Sequence, residues 1–306
     1  MKKVSPKKIR IGLIIGVGVI ILLSLSVYFV LPRVSFYIEA QKTSRQLESK
    51  LSPFLKGFTG DFSLVFKDLN NPFLEFANNK DKEFPAASLI KVPIVTAALF
   101  AVKEGKLRLD EEFILEIKDV TSGSGILKNG GFPRRITLRE LLELMISRSD
   151  NTATNKVIGI LGFGYINDAF KKFNLQYTIL NRKIMDFKAR KKGIENYTSC
   201  RDLVYIFEKI YKREMIDASS SDLMISFLKK QEINDRIPKY LPKDIAVAHK
   251  TGLAKNVVGD VGIVFSGCSD YIICVITTGF SNYRAAKDFI AKSSLVVYNT
   301  FRKDRD

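Results

Sequence analysis

The sequence predicts an α/β domain of the α+β kind: an antiparallel sheet flanked by helices, with an all-helical subdomain, preceded by one transmembrane helix. Three observations predict it. Strand-like runs cluster in two blocks, 61–77 and 245–278. Helical periodicity fills the middle and closes the chain over 283–302. Residues 11–31 form a run of 21 residues without a charge. Sequential strands joined by short turns make an antiparallel sheet. The first two strands can complete it only if the two ends of the domain meet, which leaves helices packed on the sheet.

Each element has a local reason. Lys2, Lys3, Lys7, Lys8 and Arg10 make residues 1–10 a basic tail without an acid. As a helix, 11–31 would span roughly 30 Å, about one hydrocarbon core, and Pro32 and Arg33 are expected to end it. The stretch before Pro32, Val-Tyr-Phe-Val-Leu, is a poor cleavage site, so a retained anchor is expected rather than a signal peptide. The basic tail then stays in the cytoplasm and residues 36–306 face outward, with the cell membrane as a partner. Residues 36–56 read as a helix. Asp61–Leu69 and Phe73–Ala77 read as strands around an Asn-Asn-Pro turn. A helix follows from about Ser88 to Lys103, with Gly105 as its stop. The glycine-rich stretch 121–135 is loop, and Thr137 with Glu140 forms a capping box. Residues 181–197 are irregular, and 199–214 and 219–229 are helical. Ile245–Thr251, Val257–Phe265 and Tyr271–Thr278 are strands.

Composition narrows the chemistry. A chain of 306 residues with 46% hydrophobic and 26% charged residues builds one substantial core. The net charge of +17 comes from lysines spread along the chain, which reads as a solvated basic surface; no nucleic-acid module signature accompanies it. The single histidine, His249, excludes a histidine-rich zinc site, and Cys200, Cys268 and Cys274 lack metal or redox spacing. No metal or cofactor is expected. Cys268 and Cys274 flank a hairpin turn and could pair if their Cα atoms lie within about 7 Å; otherwise the thiols are free and buried.

Three motifs carry the function. Ser88-Leu89-Ile90-Lys91 is an S-x-x-K sequence at a helix start. Residues three apart share a helix face, so the Lys91 amine is expected near the Ser88 hydroxyl. Serine needs a base to act as a nucleophile, and lysine serves when burial or a neighbouring cation lowers its pKa. A helix cap explains Ser88 equally well. Ser149-Asp150-Asn151 follows an apolar helix, and Lys250-Thr251-Gly252 lies on a strand before a hairpin. Asp150 reads as a turn or cap residue. His249, one residue before Lys250, points to the opposite face and reads as structural.

In this order the three motifs resemble the penicillin-recognising serine enzymes, class A β-lactamases above all. The resemblance extends over about residues 45–304 through PAASLIKVPI, GSGIL, TLRELLELMISRSDNTATN, LPKDIAVAHKTG and GDVGIVF. It implies a β-lactamase/D,D-peptidase-like fold, a monomer, and a β-lactam or D-Ala-D-Ala-type substrate in the outer wall. It also implies roles. Ser88 attacks the acyl carbonyl, Lys91 takes its proton directly or through water, and Ser149 passes a proton to the leaving nitrogen. Lys250 and Thr251, ahead of Gly252, hold the substrate carboxylate. Asn151 bonds its amide, and the N–H groups of Ser88 and Leu253 form the oxyanion hole. The sequence departs from the family in one place. The family's deacylating glutamate lies in an E-x-x-L-N segment; here Ile184 takes its place and Lys188 takes that of the asparagine. Arg182 matches the arginine that opens the loop, and Glu195 or Asn196 is expected to pin it. Asp186 or Glu195 could replace the missing base. If neither does, the chain should acylate readily and deacylate slowly. A D-alanyl-D-alanine carboxypeptidase or another peptidoglycan acyl-hydrolase would suit that pattern, and a non-turnover penicillin- or wall-binding protein is the further alternative.

Overall fold

The computed structural model describes residues 6–267 and 269–302, with only part of the side chains over 6–30. Helix α1 runs from Pro6 to Lys56 without a break at Pro32 or Pro53. Among the described residues no helix is long and apolar enough to cross a membrane. This corrects the expectation of a span over 11–31. The anchor, the outward placement of the catalytic domain and the membrane as a partner fall with it. Length is not what fails, since α1 has 51 residues. The expected stop at Pro32 is absent, and charged residues recur along the same helix from Arg33 onward. The expected basic tail begins in residues 1–5, outside the described residues.

Beyond Pro32 the helix becomes part of the domain. Ala40, Leu47 and Leu51 recur at helical spacing and are fully buried. They pack with Ala286, Ile290 and Val297 of the last helix, α8 (Tyr283–Arg302), against one face of the sheet.

The sheet has five strands: β1 (Asp61–Asp68), β2 (Glu75–Asn78), β7 (Ala246–Ala254), β8 (Val257–Phe265) and β9 (Tyr271–Thr278), in the order β2-β1-β9-β8-β7. Every pairing is antiparallel. The ends of the domain do meet: β1 lies along β9 with Leu64 opposite Val275. Asp68 makes the first turn by accepting from Asn70 N at 2.7 Å and Asn71 N at 2.6 Å.

Between the two strand blocks lie two short ribbons and the remaining helices. β3 (Phe84–Pro85) pairs with β6 (Tyr197–Thr198), and β4 (Glu112–Leu115) with β5 (Arg134–Thr137). The helices are α2 (Lys91–Lys103), α3 (Leu138–Ser147), α4 (Asn151–Lys172), α5 (Phe187–Lys191), α6 (Cys200–Tyr211) and α7 (Ala218–Lys229). The capping box forms as expected: Thr137 Oγ1 accepts from Glu140 N at 3.2 Å, and Glu140 Oε2 accepts from Thr137 N at 2.8 Å. Leu89, Ile94, Leu141, Met145, Val157 and Phe207 share a core between this helical part and the second face of the sheet.

The cysteines part from the hairpin reading. Cys268 lies outside the described residues. Cys274 on β9 faces Cys200 at the start of α6, with their Sγ atoms 3.1 Å apart and both thiols free and buried. Burial first, and then the Cys200 thiol, push the Cys274 thiol well above its ordinary pKa.

Candidate active site

A single 3-10 turn, Ala87–Ile90, carries Ser88 into α2 and packs against β7. Its seat is cut by two glycines opposite each other, Gly252 and Gly259. A Cβ on either would lie 2.8 Å from a Leu89 side-chain carbon. Leu89 therefore fills a notch that only glycine leaves open, and this fixes the Ser88 backbone against the sheet edge. Truncating such a buried leucine costs about 2–5 kcal/mol. Because β7 is the edge strand, alternate amides point away from β8. Ser88 and Leu253 line the same cavity from these two elements.

Around Ser88 the backbone is held in unfavourable conformations. Ala87, Ser149 and Met185 have φ of 45°, 52° and 65°. Left-handed non-glycine residues cost on the order of 1–3 kcal/mol each and gather where a site needs them. Ser149 occupies the corner between α3 and α4. Asp150 caps α4 through Ala153 N at 2.9 Å. Its other oxygen accepts from Ile126 N at 2.7 Å and Leu127 N at 2.8 Å, tying the glycine-rich loop to the corner. Gly125, at φ 110°, has no room for a side chain, since its Cβ would lie 2.2 Å from that oxygen.

The polar centre is buried. Lys91 Nζ donates to Ser149 O at 2.5 Å, Asn151 Oδ1 at 2.9 Å and Ser149 Oγ at 3.2 Å. Lys250 Nζ donates to Ser149 Oγ at 3.1 Å and Thr251 O at 2.9 Å. Both lysines are fully buried. Burial, followed by the Lys250 charge, holds Lys91 well below the ordinary lysine pKa, with Asp150 opposing. Burial brings Lys250 down to about 7, with Asp260 raising it and Arg236 lowering it. Two amines thus converge on one hydroxyl. Ser88 is half-buried beside them. No hydrogen bond joins its hydroxyl to Lys91 among the described residues: the amine expected on Ser88 is turned to Ser149 and Asn151, 58 and 60 positions along the chain.

The other predicted residues divide. Asn151 faces the cavity, but its amide is engaged by Lys91 and by Ser122 O at 2.9 Å. Thr251 is buried opposite Asp260 in the ladder. His249 is buried between Asp260, with Nδ1 3.0 Å from Oδ1, and Asn234, with Nε2 3.0 Å from Oδ1.

Neither candidate water base is free. Asp186 caps α5, accepting from Ala189 N at 2.9 Å. Glu195 is paired with Arg182 and, at 3.1 Å, with Arg190. It also accepts from Asn196 N at 2.9 Å. Asn196 completes the loop's anchor by accepting from Asn181 N at 2.7 Å and Arg182 N at 2.9 Å. Ile184 itself lines the cavity.

Three residues escaped the sequence reading. Arg236 is buried close enough to Lys250 to lower its pKa, and its Nε has no partner among the described residues. Asn155 clasps Ile184, accepting from its N at 2.8 Å and donating to its O at 3.0 Å. Its spacing of four from Asn151 on one helix face was the available signal. Arg190 had no local signal at all.

A serine-bearing turn, a lysine whose proton is loosened by burial and a hydroxyl shared by two amines form a serine-hydrolase-like constellation. The chain belongs to the beta-lactamase enzyme family, whose model matches residues 46–301. A β-lactamase of Bacteroides uniformis is 22% identical over 284 residues, covering 87% of this chain and 94% of that protein. Among solved structures, the β-lactamase of Sphaerobacter thermophilus is 26% identical with a TM-score of 0.74, covering 86% of this chain and 96% of that one. A leucine-to-glutamate mutant of PBP-A, solved as an acyl-enzyme complex with penicillin G, is 30% identical with a TM-score of 0.75 over 86% of this chain and 97% of that one.

Proposed function

We propose that residues 36–306 form an active-site-serine hydrolase whose Ser88 takes the acyl group of a β-lactam or related amide and releases it slowly. One observation carries this reading: Ser149 Oγ sits 3.2 Å from the buried Lys91 amine and 3.1 Å from the buried Lys250 amine. Lys91, as an amine, takes the Ser88 proton as the Oγ–C bond forms. The N–H groups of Ser88 and Leu253 stabilise the oxyanion. The C–N bond then breaks, Ser149 hands its proton to the leaving nitrogen, and Lys91 returns the serine proton to Ser149. Lys250, with Thr251 beside it and Arg236 behind it, attracts the substrate carboxylate. Asn151 turns from its internal partners to the substrate amide. The acyl-enzyme known for the PBP-A mutant supports the first half of this cycle.

A second reading, a D-alanyl-D-alanine carboxypeptidase or related peptidoglycan acyl-hydrolase, is favoured by Ile184. An isoleucine cannot activate water, and Asp186 and Glu195 are bound elsewhere. A carboxypeptidase could clear its ester with water activated through Lys91 or Ser149. The test is to mix the full chain with a chromogenic cephalosporin and, separately, with a D-alanyl-D-alanine pentapeptide. The expected result is a burst of one equivalent followed by slow turnover. Rapid steady hydrolysis of the lactam would overturn slow deacylation. A burst surviving in Ser88→Ala would overturn the nucleophile, and steady D-alanine release would select the second reading.

A further inference from the structure

The cavity beside Ser88, about 420 Å³, is one-sided. It follows β7 past Leu253 to Ala254 and Lys255, away from Lys250. With the substrate carboxylate at Lys250, this space receives the acyl substituent. Its wall is mixed, with an apolar part made by Ile184, Met185 and Phe187 on the loop, Leu253 on the strand and Tyr283 at the start of α8. At its far end one side chain joins the two rims. Arg190 Nε pairs with Glu195 Oε2 at 3.1 Å, and Arg190 Nη2 donates to Lys255 O at 3.1 Å.

We infer that Arg190 is a specificity-determining residue: its bridge from Glu195 to the Lys255 carbonyl closes the acyl end of the cavity and limits the size of the acyl substituent. This rests on the reading of Ser88 as the acylated nucleophile.

The bridge is more than a loop anchor, because the loop is already anchored. Arg182 and Asn196 fix its entry to its exit without Arg190. What Arg190 adds is the link across the cavity. Both ends of that link are firm. On one side α5, only five residues long, is capped by Asp186, which sets where Arg190 starts. On the other, the hairpin turn is tied back by Asn256: its N donates to Tyr283 Oη at 3.3 Å and its Oδ1 accepts from Gly279 N at 3.1 Å. A planar guanidinium can serve a carboxylate and a carbonyl at once, whereas a lysine ammonium reaches them as a point charge on a shorter arm. Glu195 is shared between Arg182 and Arg190, so the closed end keeps a cationic excess, and what the bridge sets is the shape and length of the space. Compact apolar acyl groups, a short alkyl or a single aryl ring, suit it.

The test uses the full chain and 6-aminopenicillanic acid carrying acetyl, phenylacetyl or biphenylacetyl groups. Second-order rate constants for Ser88 adduct formation are read by mass spectrometry, alongside thermal melts. In the native protein biphenylacetyl should react about tenfold slower than acetyl, within the range pocket contacts discriminate. Arg190→Ala should bring the two within about twofold while acetyl itself changes little. Arg190→Lys keeps a cation beside Glu195 but loses the Lys255 link, so it should behave like Arg190→Ala. A size profile that is flat in the native protein, or unchanged in both variants, overturns the inference and leaves the nucleophile standing. So does an equal loss for all three compounds with a lowered melting point, the mark of a merely structural residue. No Ser88 adduct with any compound in the native protein overturns both.

Discussion

The two walls of the cavity use ionisable groups in opposite ways. On the wall of α2, the 149–151 corner and β7, Lys91 and Lys250 are stripped of water and aimed at one serine hydroxyl. On the loop wall every acid is consumed by the fold: Asp186 caps a helix and Glu195 binds two arginines. Burying a charge is costly unless it is paired. On the first wall that cost yields an amine ready to accept a proton; on the second the charges are paired and yield only rigidity. Under the proposed function, acylation belongs to the first wall and the second contributes shape. Removing the amine should therefore damage chemistry without damaging the fold, and adding an acid to the loop wall should supply chemistry it lacks.

The largest expected effect comes from Lys91→Met. Losing a positioned base should slow adduct formation by about 10²–10⁴. The melting point should hold or rise, because a desolvated amine is replaced by an apolar chain of similar length. Stopped-flow burst rates and melts check this together; a fast burst in a well-folded Lys91→Met would break the assignment of the first wall. Next comes Ile184→Glu. Asn155 holds the backbone of residue 184 at both its N–H and its carbonyl, so a glutamate there would be presented to the cavity from a fixed frame. Steady-state turnover should rise by about 10²-fold with the burst unchanged. Equal turnover would mean that the loop wall is not what limits release.

Much of this was legible in the sequence where the signal was local. The capping box at Thr137 and Glu140, the strand runs around their turns, and the Ser88, Ser149 and Lys250 motifs are each read over a few residues. The cap and strands form, and Lys91 and Lys250 both come within hydrogen-bond distance of Ser149. Nonlocal facts were hidden. The spacing of Ser88 and Lys91 gave no sign of the partners the amine holds here, because those acceptors lie 58 and 60 positions away. Cys274 was weighed against a neighbour in its hairpin, yet it meets Cys200, 74 positions away. Proline was read as a stop at residue 32, and α1 passes through it, so the separate membrane span drawn on that stop was not found. Arg190 and Arg236 act only through contacts that tertiary structure creates.

A smaller effect sharpens the first wall by pH. Only the protonated form of Lys250 attracts a carboxylate, and burial brings its pKa to about 7. In the free enzyme, acylation by a carboxylate-bearing lactam should fall about tenfold per unit above that pH. A matching lactam ester should lack this limb; a limb of the same size for both would clear Lys250 of the role. On the acid side the rate should fall wherever Lys91, its pKa lowered by burial, gains its proton, which gives a bell. The stability consequence has a definite sign. Between about 7 and roughly 10.4, the unfolded Lys250 holds a proton that the folded one has lost. Unfolding free energy therefore rises with pH through that window, and Lys250→Met should flatten the rise.

The smallest expected effect is the most discriminating for the loop wall. Asparagine caps a helix about as well as aspartate, so Asp186→Asn keeps the bond to Ala189 N while removing the carboxylate. Stability should change by less than about 0.5 kcal/mol, and both burst and turnover should stay the same. Asp186→Ala loses the cap and should cost about 1 kcal/mol, again with the burst intact. If Asp186→Asn instead slowed turnover tenfold while leaving the burst alone, its carboxyl would have to leave Ala189 and reach the ester during the cycle. The two walls would then share the chemistry, and Ile184 would no longer explain slow release.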